Sequence, residues 1–68
     1  MLDKSKATSK DEFIDMLMRK RDSGNESIIT TMDGQYYGKI ISVGLDKVTI
    51  NQEGKNITID IDYILEVE

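Results

Sequence analysis

Apolar and polar positions follow one period in the first third of the chain and another in the rest. Phe13, Met16, Leu17 and Lys20 fall at spacings of three and four, with Ile14 and Met18 widening the apolar stripe. That spacing predicts an amphipathic helix with one apolar and one charged face. Ser9 followed three residues later by Glu12 reads as a capping box, in which hydroxyl and carboxylate satisfy backbone N–H groups left without partners at a helix start. Asp11 and Glu12 sit in the first turn, Arg19, Lys20 and Arg21 in the last, and Gly24 follows where a left-handed cap residue is needed. These signals agree on a helix over residues 10–22.

From Ser27 onward the pattern turns to short runs of Ile, Val, Thr and Tyr bounded by glycine or aspartate. Five strands are predicted, at residues 27–32, 36–43, 47–52, 55–61 and 64–68, separated by Asp33-Gly34, Gly44-Leu45-Asp46, Glu53-Gly54 and Asp62-Tyr63. Asp-Gly and Glu-Gly pairs between alternating runs are hairpin signals, because positive φ is cheap at glycine. The fourth run alternates strictly, with Ile57, Ile59 and Ile61 on one face and Asn56, Thr58 and Asp60 on the other. Gly38, inside the second, marks the bend or bulge that lets a short sheet curl. The expected class is mainly β with one N-terminal α-helix, a five-stranded small barrel. Residues 1–8 are read as a disordered tail and residues 9–68 as one domain, with the barrel over 27–68.

At 68 residues the chain has room for one core, and a domain of this size buries only roughly 60% of the surface its unfolded form exposes. With no cysteine and no histidine, disulfides and most metal sites are unavailable as staples, which leaves self-association. No apolar run approaches the ~20 residues needed to span a bilayer, and residues 1–10 are polar without a signal-peptide core. The expectation is a cytoplasmic protein without a membrane partner.

The net charge of −4 argues against gripping duplex DNA by bulk electrostatics. Charge is segregated, however: Arg19, Lys20 and Arg21 form a basic cluster, and Asp60, Asp62, Glu66 and Glu68 an acidic end. The acidic end reads as a solvated edge that discourages unwanted strand pairing, not as a metal site. Without histidine, cysteine, a glycine-rich phosphate loop or a serine beside a base, the expectation is a non-enzymatic protein that needs no cofactor.

The run Asp11-Glu12-Phe13-Ile14-Asp15-Met16-Leu17-Met18-Arg19-Lys20-Arg21, then Ser27-Ile28-Ile29 to Asp33-Gly34 and Gly38-Lys39-Ile40-Ile41-Ser42, resembles the helix and first two strands of the Hfq family of Sm-like RNA-binding proteins. The resemblance covers about four-fifths of the chain. It departs in loop lengths and in the last strand, where Asp60-Ile61-Asp62 stands in place of the family's Tyr-Lys-His.

What the resemblance implies is an Sm-like (SH3-like) barrel that closes into a hexameric or heptameric homo-oligomeric ring and binds single-stranded RNA as a post-transcriptional regulator or RNA chaperone. The family's rim patch maps onto Arg19, Lys20 and Arg21. Its proximal pore face maps onto Lys10, Val48 and Asp62, where valine has no ring to stack on a base and aspartate meets phosphate with negative charge. Its distal face maps near Thr30, Gln35 and Tyr36; Tyr36 and Tyr37 are adjacent on a strand, so only one of them faces outward. Two alternatives stand beside RNA binding: a protein-interaction module that has kept the fold and lost RNA, and a ring that binds a small ligand.

Overall fold

The structure is a computed structural model and describes residues 10–68; the proposed cap Ser9 and the tail over 1–8 lie outside the described residues. The elements run α1 (Lys10–Ser23), β1 (Glu26–Thr31), β2 (Gly34–Val43), β3 (Lys47–Gln52), β4 (Lys55–Asp60), a 3₁₀ turn at Ile61–Tyr63, and β5 (Ile64–Val67). All strand pairs are antiparallel, in the order β4-β3-β2-β1-β5. Among the described residues no helix is long and apolar enough to cross a membrane.

The helix ends as its sequence requires. Gly24 takes φ +74° and donates its N–H to the Arg21 carbonyl at 3.3 Å, a conformation that costs least where there is no Cβ. The Ser23 hydroxyl donates to the Lys20 carbonyl at 2.8 Å and accepts from the Asn25 N–H at 3.2 Å. The apolar stripe buries Phe13 and Leu17, and both join a core completed by Ile29, Ile40, Val48, Ile50, Ile59, Ile61, Ile64 and Val67. Each of these side chains contributes about 1.5–3 kcal/mol when fully withdrawn from water, so the helix is held to the sheet chiefly through Phe13 and Leu17.

Burial alternates along β1, where Ser27, Ile29 and Thr31 face the core and Glu26, Ile28 and Thr30 face away. The β1–β2 turn comes earlier than Asp33-Gly34 suggests. Thr31 pairs with Gly34 across a Met32-Asp33 loop, and the Thr31 hydroxyl holds it by donating to the Gly34 carbonyl at 2.9 Å and accepting from the Asp33 N–H at 3.1 Å. Strand β2 therefore begins at Gly34, two residues before the expected Tyr36.

Two further expectations are corrected. The register irregularity in β2 falls between Ile40 and Ser42, not at Gly38; Gly38 instead marks where the Asn51 backbone comes closest. Nor is the sheet a closed barrel, because β4 and β5 end the strand order without pairing to one another. Strand β4 stops at Asp60 because the Asp60 carboxylate accepts the Asp62 N–H at 3.0 Å and starts the 3₁₀ turn. That turn buries Ile61, whose N–H donates to the Asp46 carbonyl at 2.8 Å, and it carries the chain past the sheet so that β5 forms on the far side, against β1.

Candidate nucleic-acid interface

The three cations at the end of α1 do not form one patch. Consecutive helical residues are separated by about 100°, so Arg19, Lys20 and Arg21 fan around the axis. Arg19 is well exposed, and its guanidinium meets Asp15, one turn earlier, at 2.8 Å. Arg21 is half-buried and pairs with Asp22 at 3.2 Å. Among the described residues, Lys20 has no carboxylate partner.

Lys10, Val48 and Asp62 are separated by burial. The Lys10 ammonium bridges two carboxylates, Asp46 at 2.9 Å and Asp62 at 3.3 Å, tying the start of α1 to the β2–β3 turn and to the 3₁₀ turn. The hydrogen bond to Asp46 raises the Lys10 pKa above its ordinary value, and the same bond lowers that of Asp46. Val48 points the other way, into the core, with no exposed surface. It has nothing to offer a ligand: strand alternation puts it inside with Ile50. What remains at this end is one lysine already shared by two aspartates.

Thr30 and Gln35 stand opposite one another across β1 and β2, with the Gln35 amide donating to the Thr30 hydroxyl at 3.2 Å. Tyr36 does not accompany them. It packs against the core and lines a cleft of about 340 Å³ with Thr31, Asp33, Lys47, Asp60 and Tyr63. The tyrosine that shares the face of Thr30 and Gln35 is Tyr37, directly opposite Ile28. Its hydroxyl donates to Glu53 at 3.4 Å, and its N–H donates to the Gln52 side chain at 3.2 Å. Period-two counting from Ile40, which the structure buries, turns Tyr37 outward; in the sequence Ile40 and Ile41 are adjacent, so the phase of that alternation stays open. Two of the carboxylates on this face come from the β5 end of the chain, and only the strand order brings them there: Thr30 pairs with Glu66, and Ile28 exchanges two 2.8 Å backbone hydrogen bonds with Glu68.

Among the described residues no group of three or more acidic side chains is arranged to hold a metal ion. Compared with protein-family models, with curated proteins and with solved structures, the chain matches none.

Proposed function

We propose that this chain is a self-associating, Sm-like subunit that binds single-stranded RNA in the cytoplasm, with the cations at the end of α1 as its phosphate contacts. The observation that carries the reading is the open sheet: one helix on five antiparallel strands, with β4 and β5 as its two free edges. Free edges invite pairing, and β4 of one copy meeting β5 of the next closes a ring. Such an assembly also supplies the burial that a 68-residue chain lacks alone. The pairs Arg19–Asp15 and Arg21–Asp22 lie at the surface, where an ion pair contributes only about 0–1 kcal/mol. A phosphate can therefore displace either carboxylate.

A second reading, a protein-interaction module of the same fold, is favoured by one observation: Lys10, Arg19 and Arg21 each already face a carboxylate of their own chain, in a protein of net charge −4. Native mass spectrometry of protein purified gently from cells without nuclease separates the two. A ring carrying RNA is the expected result. A ring free of nucleic acid moves the conclusion to the second reading, and a bare monomer overturns the assembly itself.

A further inference from the structure

The outward face of β5, β1 and β2 combines an apolar centre with an acidic margin. Ile28 is 43% exposed and Tyr37 48% exposed, and they lie directly opposite one another on neighbouring strands. With Glu26, Ser27 and Gln35 they line a hollow of about 370 Å³, at the small end of the ~300–1,000 Å³ typical of ligand pockets. Residues opposite one another in an antiparallel pair project to the same side. Glu66 therefore projects beside Thr30 and Glu68 beside Ile28. Glu26 flanks the centre along β1 opposite Lys39, and Glu53 reaches the Tyr37 hydroxyl. Four carboxylates and one lysine thus surround two apolar side chains. Among the described residues none of Glu26, Glu66 and Glu68 is engaged in an ion pair.

From this arrangement we infer that the Ile28–Tyr37 face docks a basic peptide segment of a protein partner, one that seats an aliphatic or aromatic side chain in the hollow and places Lys or Arg against Glu26, Glu66 and Glu68. The charge selects the partner. A nucleic-acid strand laid here would bring its phosphates against four carboxylates, whereas a cationic segment gains from the same field in affinity and approach. The centre supplies what charge cannot, since a desolvated aromatic with an aliphatic neighbour is the usual anchor of an interface and the charged margin sets orientation. The surface also differs from the RNA contacts proposed above. It belongs to the sheet side opposite the core, whereas α1 lies against the core through Phe13 and Leu17.

Panning a random-peptide library displayed on phage over the immobilised whole chain tests the inference. The expected outcome is enrichment of peptides that combine Lys or Arg with one large apolar residue. Binding should weaken about tenfold or more in Ile28→Ser/Tyr37→Ser and several-fold, with a flatter salt dependence, in Glu66→Gln/Glu68→Gln. All four side chains point to solvent, and an unchanged melting temperature checks that the variants fold. Arg19→Ala/Arg21→Ala, which tests the RNA reading, should leave peptide binding unchanged, so the two can fail separately. The inference is overturned by absence of enrichment, by enrichment of neutral or acidic peptides, or by basic peptides whose affinity ignores Ile28→Ser/Tyr37→Ser.

Discussion

Gly38 lies so close to Asn51 that a β-carbon on Gly38 would overlap the Asn51 carbonyl oxygen and stand 2.8 Å from the carbonyl carbon. The atoms in the way are backbone on a neighbouring strand and cannot rotate aside. Gly38 also has φ +155°, outside the range that other L-residues favour. Gly38→Ala should therefore destabilise the protein by about 3 kcal/mol, the combined scale of overpacking and backbone strain. Urea unfolding of the two proteins checks it; a loss under about 1 kcal/mol would mean that β2 and β3 separate easily at this point.

Ser27 is the register partner of Gly38 and faces the core, 1% exposed, with no hydrogen-bond partner for its hydroxyl oxygen among the described residues. A buried hydroxyl without a partner costs about 1–3 kcal/mol. Ser27→Ala should stabilise the chain by about 1 kcal/mol, which for a domain this small is a rise of roughly 4–8 °C in melting temperature. No rise, or a fall, would indicate that the hydroxyl has a partner in solution, such as water.

The β3–β4 hairpin turns through Glu53 and Gly54, with φ +53° and +84°. Two positive values suit the tight turn joining twisted strands, and asparagine is the side chain that best tolerates the first of them. Glutamate there bears a left-handed strain of about 1–2 kcal/mol, set against an exposed 3.4 Å hydrogen bond from Tyr37. Glu53→Asn should raise stability by about 0.5–1 kcal/mol in the same unfolding assay.

These residues mark where the sequence was legible. Glu-Gly announced the β3–β4 hairpin, and the helix signals placed α1 to within a residue of its end at Ser23, because turn chemistry and helical periodicity are local. Asp60-Ile61-Asp62 reads in the sequence as the end of a strand and the start of a turn, whereas β4 stops at Asp60 and Ile61 already belongs to the 3₁₀ turn. An aspartate accepting the N–H two residues on is a local signal too, but alternation through Ile61 masked it. The bridge from Lys10 to Asp46 spans 36 positions, and Glu66 reaches Thr30 only through the strand order. No window along the chain contains either relation. Open sheet edges are likewise a property of topology, and the choice between Tyr36 and Tyr37 turns on a register that adjacent tyrosines leave ambiguous.

The Lys10 bridge gives the protein a signature in acid. The Asp46 carboxyl is held below its ordinary value of 3.8, first by the hydrogen bond from Lys10 and then by the charges of Lys10 and Lys47. A lowered folded-state value means that the contribution is complete above 3.8 and is lost as the pH falls through the lowered value. Lys10 behaves oppositely: its pKa lies above 10.5, so its share is complete below 10.5 and is lost as the pH rises through the raised value. Lys10→Gln should move the Asp46 midpoint, followed by its carboxyl carbon resonance, upward toward 3.8. An unmoved midpoint would mean that the bridge does not form in solution. High salt should move it in the same direction, since the pair is exposed.

Asp15 and Asp22 make the RNA reading testable in both directions. If Arg19 and Arg21 contact phosphate, their own carboxylates, at 2.8 and 3.2 Å, compete with the ligand for the same guanidinium groups. Arg19→Ala/Arg21→Ala should then weaken binding of a single-stranded oligonucleotide about tenfold at moderate salt and flatten the slope of log affinity against log salt by about 0.7 per lost contact. Asp15→Asn/Asp22→Asn should strengthen binding instead, by removing both the competitors and two negative charges near the strand. Fluorescence anisotropy across a salt series measures both. Simple loss of a favourable helix-end charge would lower stability in the arginine variant without touching RNA affinity, so the increase in the aspartate variant is the more discriminating result. Equal affinity in all three proteins would remove the end of α1 from any account of RNA binding.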